Sequence, residues 1–170
     1  MDISIREATE RDFEALCLII EEVDRMHREV LPRRFKPPAG PVREPSYILQ
    51  AIRAPEVGLF VAQNAGQLVG FVHVIVRETP DVAILVPRRY AVVDSLAVKE
   101  GMRRKGVGHA LMRKAEAWAA GKGASSVELT VYAFNQAAEQ FYEQLGYQVL
   151  THRMTKRLGG AAGLPAEGSQ

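Results

Sequence analysis

Residues 103–108 read RRKGVG, three consecutive cations followed by two glycines, and they stand directly before a segment with helical spacing of its apolar residues. The first turn of a helix carries unpaired N–H groups and the positive end of the helix dipole. Glycines let an anion approach that backbone closely, and the cations add positive charge. The pattern therefore predicts an anion site that prefers phosphate or pyrophosphate. A solvated basic turn is the alternative that this stretch alone leaves open.

Two familiar phosphate loops do not match this stretch. A Walker loop needs Lys-Ser or Lys-Thr after its second glycine, whereas Val107 follows Gly106 here. The dinucleotide fingerprint needs a third glycine at the position where this chain has Leu111. The stretch therefore belongs to neither of these two motifs, but its cations, glycines and helix start still suit an anion.

Hydrophobic periodicity predicts the elements that position this stretch. The predicted strands cover residues 3–6, 59–63, 68–76, 90–98 and 127–131, with a last extended stretch over 147–158. The predicted helices cover residues 13 to about 27, 46–54 capped by Ser46, 107–120, and 136–145 capped by Asn135. Residues 31–45 and 77–89 are predicted to be irregular loops, because the first holds five of the nine prolines.

The order of these elements predicts an α/β (α+β) fold with one mixed sheet. The turn at residues 64–67 should join its two strands as an antiparallel hairpin. The strand–helix–strand unit over 90–131 should place two strands parallel to each other. We expect helices on both faces of this single, mostly antiparallel sheet.

Composition favours one soluble, cytoplasmic domain. The chain has 170 residues, and 47% of them are hydrophobic, which is enough for one core. No apolar run approaches the ~20 residues of a membrane-spanning helix, and the N-terminus lacks the layout of a signal peptide. Cys17 is the only cysteine, which favours a reducing compartment. We expect a domain over 1–158 and a flexible tail over 159–170, because the tail is small and polar.

Two blocks of the sequence resemble a known family. The run VDSLAVKEGMRRKGVGHALM is similar to the acyl-CoA-binding core of the GNAT N-acetyltransferase superfamily, whose pattern Arg/Gln-x-x-Gly-x-Gly/Ala fits Arg103 to Gly108. In the second block, NQAAEQFYEQLGYQ, five residues fall at the family's spacing: Asn135, Ala138, Tyr142, Gly146 and Tyr147. The resemblance covers about residues 90–158, and the first half fits only in its order of elements.

The resemblance implies acetyl-CoA as cofactor, CoA as product, no metal, and a splayed parallel strand pair in the sheet. It implies that the pyrophosphate of the cofactor is held by Arg103, Arg104, Lys105, Gly106, Val107, Gly108 and His109. The backbone of Leu96, Ala97 and Val98 would pair with the pantetheine arm as an added strand would. Asn135 would approach the arm near its thiol end, and a plain helix cap is a compatible second role.

The resemblance also implies two catalytic residues. Tyr142 would donate a proton or a hydrogen bond to the departing thiolate, and the alternative is a packing residue beside Phe141. An alkylammonium is mostly protonated near pH 7, so a base or a water chain must help the amine. Asp94 is the first candidate for that base or for binding the amine, since strand alternation predicts that it shares a face with Leu96. The alternative is an aspartate that only makes local hydrogen bonds.

The remaining candidates are weaker. Glu100, Glu78 and Tyr90 are further candidates for the base, and a backbone N–H near Leu96 would hold the oxyanion. The histidines show no metal-ligand spacing, and His73 alternates with apolar residues as a sheet-face residue does. His27 and Asp24 precede the proline-rich loop, which borders the acceptor site in the resembled family. Basic residues in the two long loops slightly favour an acceptor with a carboxylate or phosphate: Arg33, Arg34, Lys36, Arg43, Arg88 and Arg89.

The sequence leaves three classes of function to be compared. The first is an enzyme that moves acetyl from acetyl-CoA to a primary amine of a small molecule, peptide or protein, by direct attack in a ternary complex. The second is an acyl-CoA sensor without turnover, against which the intact Tyr142 argues. The third is nucleic-acid binding, which the net charge of +2 and the lack of interleaved aromatics disfavour. No membrane partner is expected, and a homodimer would cover the exposed sheet edge after Leu150.

Overall fold

The computed structural model describes residues 2–40 and 43–156. The chain divides into two compact units, Met1–Thr130 and Val131–Gln170. The first unit contains a sheet and three α-helices, and the described part of the second unit contains one α-helix. The tail predicted over 159–170 lies outside the described residues, and the single domain predicted over 1–158 stays a prediction.

The first unit is built on a five-stranded sheet in the order β1-β2-β3-β4-β5. Its strands are β1 (Ile3–Glu7), β2 (Val57–Asn64), β3 (Gln67–Glu78), β4 (Arg89–Val98) and β5 (Val127–Leu129). The pairs β1–β2, β2–β3 and β3–β4 are antiparallel, and β4–β5 is parallel. The predicted mixed, mostly antiparallel sheet with one parallel pair is therefore confirmed.

The parallel pair is short, and this leaves part of β4 without a partner on one side. β5 pairs only with Ala91, Val92 and Val93. Among the strands that the structure describes, none pairs with residues 94–98 on that side. The backbone of this half of β4 therefore presents a free edge, which agrees with the predicted splay of the two strands.

Helices cover both faces of the sheet, as predicted. α1 (Phe13–Val30) and α2 (Pro45–Arg53) pack on one face, in a cluster whose strand residues include Leu59, Val61, Phe71 and Ala97. α3 (Val107–Gly121) packs on the other face, where Trp118 meets the ring of Phe60 at 6.1 Å between centroids. Because both faces are covered, β2 reads as a continuous buried run from residue 58 to residue 62.

Two local predictions need correction. Ser46 does not cap α2, since the helix begins at Pro45 with Glu44 in the cap position, and proline suits a first helical turn. The extended stretch predicted over 147–158 forms no strand over its described part, residues 147–156. The helix of the second unit, α4 (Gln136–Gln144), lies where it was predicted. No described helix has the length and apolar character needed to cross a membrane.

Candidate functional site

The RRKGVG stretch forms the loop that enters α3. Gly106 stands in the cap position with φ of 82°, a left-handed conformation that glycine adopts without strain. Because glycine has no side chain, the cap residue of α3 provides no side-chain acceptor for the N–H groups of the first turn. A Cβ at Gly106 would meet no atom within 4 Å, so the space beside this backbone is open. Val107 is buried and anchors the start of the helix.

The three cations of this loop are not equivalent. Arg103 donates through Nε to the Val98 carbonyl at 3.0 Å and pairs with Glu22 of α1 at 2.9 Å. Lys105 donates to the Gly101 carbonyl at 2.8 Å. Arg104 is exposed and has no hydrogen bond or ion pair to any residue that the structure describes. Arg104 and the helix amides can therefore contact an anion directly, whereas Arg103 and Lys105 already bind groups of the protein.

The end of β4 presents backbone groups to its free edge. The Lys99 N–H donates to the Val69 carbonyl of β3 at 2.9 Å, so residue 99 points toward β3. By alternation along the strand, the backbone groups of Leu96 and Val98 point away from β3, toward the free edge. The Val98 carbonyl also accepts the bond from Arg103, which ties this edge to the loop. The edge has the form that an extended chain of amide groups can pair with.

A bulge interrupts β4 at Asp94. Val93 lies opposite Val74 and Ser95 lies opposite His73, so Asp94 is the additional residue between them. Leu96 consequently lies opposite Val72, on the other face of the sheet from His73. The prediction that Asp94 shares a face with Leu96 is therefore wrong, because it assumed a regular alternation that the bulge breaks.

Asp94 contacts a histidine that the sequence did not mark as functional. The Nδ1 atom of His73 lies 3.2 Å from Oδ2 of Asp94, and the Ser95 hydroxyl donates to the same oxygen at 3.4 Å. The hydrogen bond from His73 lowers the pKa of Asp94, and burial opposes this effect. Asp94 is therefore held as a carboxylate, and 44% of its side chain is exposed.

The second nitrogen of this histidine is unusual. Nε2 of His73 is a buried polar atom with no hydrogen-bond partner among the described residues, and the side chain is only 9% exposed. An unsatisfied buried polar group typically costs about 1–3 kcal/mol. Such groups are rare in folded proteins, so each one calls for an explanation. The only sequence signal was a histidine within an apolar strand, and its contact with Asp94 depends on a register that the sequence does not show.

Polar side chains of α1 and α2 surround this pair. The Tyr47 ring meets the His73 ring edge-on, with 6.3 Å between centroids. Burial raises the pKa of Tyr47, the charge of Asp94 raises it further, and Arg43 opposes both. Arg43 in turn pairs with Asp24 of α1 at 3.0 Å. The segment before α2, α2 itself, α1 and the bulge therefore meet at one polar patch on the α1/α2 face of the sheet.

Several weaker candidates are tied into structural contacts. Glu78 pairs with Arg89 at 2.8 Å, and the Arg88 guanidinium stacks over the Tyr90 ring at 4.4 Å. The Glu100 N–H donates to Glu22 at 3.0 Å. Arg89, the first residue of β4, is thereby paired with a carboxylate, so part of the positive charge predicted for this region is neutralised.

His27 also makes a local contact, with its Nδ1 atom 2.9 Å from the Val23 carbonyl. The Cys17 thiol is half-buried, and burial raises its pKa. Within residues 2–40 and 43–156, no group of three or more His, Cys, Asp or Glu side chains could hold a metal ion.

The second unit contains the other two predicted site residues. Oδ1 of Asn135 accepts the Ala138 N–H at 3.2 Å, so the predicted helix cap is present. Tyr142 packs its ring against Phe141 and Tyr147, with centroids 5.1 and 5.7 Å away. Burial raises the pKa of Tyr142 to about 12. The phenol therefore stays protonated through the neutral range, as a hydrogen-bond donor must.

The chain is similar to proteins of one family. The model of the acetyltransferase (GNAT) family matches residues 20–147. An uncharacterised N-acetyltransferase of Methanocaldococcus jannaschii is 31% identical over 102 residues, which cover 60% of this chain. The match spans 44% of that relative, so the chain covers less than half of its length.

Solved structures share the fold. A mutant of a Bacillus halodurans protein matches with a TM-score of 0.87 at 24% identity, over 91% of this chain and 99% of that one. The acetyltransferase AAC(6′)-Iy, in complex with the bisubstrate analogue CoA-S-monomethyl-acetylneamine, matches with a TM-score of 0.71 at 16% identity, over 93% of this chain and 99% of that one. At these identities the likeness shows the fold alone.

Proposed function

This chain belongs to the acetyltransferase (GNAT) family, and we propose from that premise that it transfers an acetyl group from acetyl-CoA to a primary amine. The observation that carries the proposal is the uncapped start of α3 at Gly106, directly after the free edge of β4. A helix N-terminus with open space beside its amides suits a pyrophosphate. A free strand edge suits the amide-containing arm that follows the pyrophosphate in CoA.

The cofactor would be held by residues of both predicted blocks. Arg104 and the amides of Gly106, Val107, Gly108 and His109 would hold the pyrophosphate, with Arg103 and Lys105 adding charge. The backbone of Leu96 and Val98, with Ala97 between them, would pair with the pantetheine arm. Asn135 would lie near the thiol end while also capping α4.

The proposed reaction is direct attack by the amine within a ternary complex. When bound, acetyl-CoA supplies a thioester whose acetyl carbon accepts the amine, and the C–S bond breaks as the C–N bond forms. A backbone N–H near Leu96 would stabilise the carbonyl oxygen as it gains charge. Asp94 would bind the ammonium or help remove its proton, and Tyr142 would donate a hydrogen bond or a proton to the leaving sulfur.

The acceptor class is an amine on a small molecule or on a peptide or protein. A structural neighbour with an acetylneamine analogue supports a small polyamine-like acceptor, and the exposed carboxylate of Asp94 suits an ammonium. The proposal includes no nucleic-acid or membrane partner. The single cysteine supports a reducing, cytoplasmic compartment. An acyl-CoA sensor without turnover is the second candidate, and the same cradle supports it. A homodimer stays a prediction.

The test is thermal melting with acetyl-CoA, CoA, ATP and NAD at matched concentrations. A ligand at about 100 times its Kd stabilises the folded protein by about 2.7 kcal/mol. For a protein of this size, that corresponds to a rise of roughly 5–10 °C in Tm. We expect this rise with acetyl-CoA and CoA and no rise with NAD. No rise with either CoA species would refute the cradle.

A pair of glycine variants sharpens the test. Gly106→Glu places bulk and negative charge beside the cradle and should abolish the CoA-induced rise in Tm. Gly66→Glu is the matched control, because Gly66 has a similar positive φ of 78° and equally open space. Both variants carry the same charge and the same backbone strain. Equal CoA responses in the two variants would contradict a cradle at the start of α3, and liberated thiol in the presence of an amine would separate enzyme from sensor.

A further inference from the structure

The His73–Asp94 pair carries an inference about which residue accepts the proton of the amine. Within residues 2–40 and 43–156, Nε2 of His73 is the buried side-chain polar atom that has no partner. It belongs to a side chain that is 9% exposed, on the sheet face covered by α1 and α2. A buried nitrogen kept without a partner is available for a ligand.

Asp94 decides which nitrogen of His73 carries the proton. Oδ2 of Asp94 is a carboxylate oxygen and can only accept a hydrogen bond, so Nδ1 at 3.2 Å must donate it. In a neutral imidazole the other nitrogen is then an acceptor with a free lone pair. Nε2 is therefore the atom of this pair that can take up a further proton.

Asp94 itself is poorly suited to that task. The hydrogen bonds from His73 and Ser95, and the charge of Arg77, lower its pKa, so its carboxylate is a weak base. A general base works best when its pKa lies near the working pH. Imidazole as a class changes charge between pH 5 and 8, which suits a reaction near neutrality.

We propose that Nε2 of His73 accepts the proton of the acceptor ammonium, and that Asp94 is a positioning residue that holds the imidazole in the required tautomer. This inference rests on the proposed function. The ammonium transfers one proton to Nε2, and the resulting amine attacks the thioester carbon. As the C–S bond breaks, the sulfur receives the second proton that the nitrogen loses. The imidazolium then returns its proton to solvent, so atoms and charges balance.

The surroundings of His73 define how the proton reaches it. Tyr47 of α2 lies edge-on to the imidazole and is 44% exposed, so this ring packs beside the buried pair and itself reaches solvent. Proton transfer requires the ammonium within hydrogen-bond distance of Nε2 or across one bridging water. The charged groups beside the imidazole are Asp94 itself, Arg77 of β3, which acts on Asp94, and Arg43 before α2, which acts on Tyr47.

The first test is nitrogen NMR of histidine-labelled protein, with His73→Asn used to assign the signal. We expect a proton on Nδ1 and none on Nε2 at pH 8, and protonation of Nε2 as the pH falls. A proton on Nε2 at pH 8 would overturn the proposal. This measurement needs no acceptor, so it decides the state of the pair independently of turnover.

The second test is kinetic, with thiol release from acetyl-CoA measured with spermidine, an aminoglycoside and a lysine-containing peptide. His73→Asn keeps an amide donor for Asp94 and removes Nε2, so kcat should fall at least about 100-fold and the acid limb of the pH profile should disappear. Asp94→Asn should cost less and should move that limb to lower pH, because the imidazolium loses its carboxylate. Both variants should keep the CoA-induced rise in Tm.

The outcomes separate this inference from the proposed function. An unchanged kcat and pH profile in a folded His73→Asn variant would refute the assignment of His73. Loss of the acid limb in Asp94→Asn but not in His73→Asn would assign the base to Asp94 instead. If His73→Asn fails to fold, Asn variants of His27, His109 and His152 assign the His73 signal by elimination, and the nitrogen spectra with Asp94→Asn still decide. A protein that binds CoA but acetylates none of the three amines contradicts the proposed function, while the spectra still decide the state of the pair.

Discussion

Replacing Tyr142 by Phe removes one phenol oxygen and leaves the ring, so it tests the role of that oxygen alone. Burial raises the pKa of Tyr142 to about 12, compared with 10.0 for an ordinary tyrosine. The unfolded chain therefore ionises this phenol near pH 10, whereas the folded chain keeps the proton up to about pH 12. Ionisation of this phenol therefore does not affect the free energy of unfolding below pH 10, and it destabilises the native protein as the pH rises from 10 to 12.

The size of this effect follows from the two pKa values. Two pKa units correspond to roughly 2.7 kcal/mol in full, and about half of that, roughly 1.4 kcal/mol, is lost at pH 11. For a protein of this size the wild type should lose about 3–5 °C of Tm between pH 8 and pH 11 relative to the Phe variant. The assay is the difference in Tm between the two proteins at both pH values. An equal difference in Tm at pH 8 and pH 11 would refute the burial of the Tyr142 phenol.

The same pKa limits the chemistry of Tyr142. A thiol has an ordinary pKa of about 8.5, so full proton transfer from this phenol to a thiolate would be uphill by roughly 5 kcal/mol. Tyr142 should therefore act as a hydrogen-bond donor to the developing thiolate, which is worth about 1.5–3 kcal/mol. Tyr142→Phe should lower kcat about 10- to 100-fold and leave CoA binding unchanged. Tyr132→Phe is the control within the same unit, and an unaltered kcat in Tyr142→Phe would exclude the role.

Two further predictions concern charges that the sequence did not connect. Glu22→Gln should tighten CoA binding a few-fold by calorimetry, because the Glu22 carboxylate now competes with a phosphate for Arg103 at 2.9 Å. Glu21→Gln on the same helix is the control, and equal affinities would contradict this competition. Asp12→Asn should lower Tm by about 5–10 °C at pH 7, since the bidentate bond from Arg6 is the main cause that lowers the pKa of Asp12 to about 2. The stabilisation by the Asp12 carboxylate is present above about pH 4 and is lost as the pH falls toward 2. The Tm values of the two proteins should therefore converge in acid, and a Tm difference that stays constant from pH 7 to pH 2 would refute it.

The parts of the site that the sequence predicts are those in which the chemistry is local. The sequence around Gly106 predicts a helix start without a side-chain cap, because the loop, its glycines and the helix are contiguous. The sequence predicts the cap at Asn135 in the same way, because Asn135 lies three residues before Ala138, whose N–H donates to it. The strands of the sheet follow from period-two patterns and turn residues for the same reason.

The parts that the sequence does not predict depend on register and on distant contacts. Arg103 looked like a free phosphate ligand, yet it pairs with Glu22, which lies 81 residues earlier in the chain. His73 looked like an ordinary sheet residue, because nothing in a strand pattern shows which residue of a neighbouring strand lies opposite. Its contact with Asp94 depends on how β3 pairs with β4, and the bulge that places Ser95 opposite His73 leaves no mark in the composition of the strand.

The bulge at Asp94 links the two halves of the proposed site through a single strand. Without it, Leu96 would lie opposite Phe71, beneath α1, where the small side chain of Ala97 now packs at 5% exposure. The same one-residue shift would turn the backbone of Ser95 and Ala97, rather than that of Leu96, toward the free edge. The bulge therefore sets which backbone groups of β4 face the cofactor, and it moves Leu96 off the face that carries the His73–Asp94 pair. Deleting Ser95 would remove the additional residue, keep Leu96 opposite Val72 and take away a hydroxyl that donates to Asp94, so it should alter proton transfer and spare CoA binding.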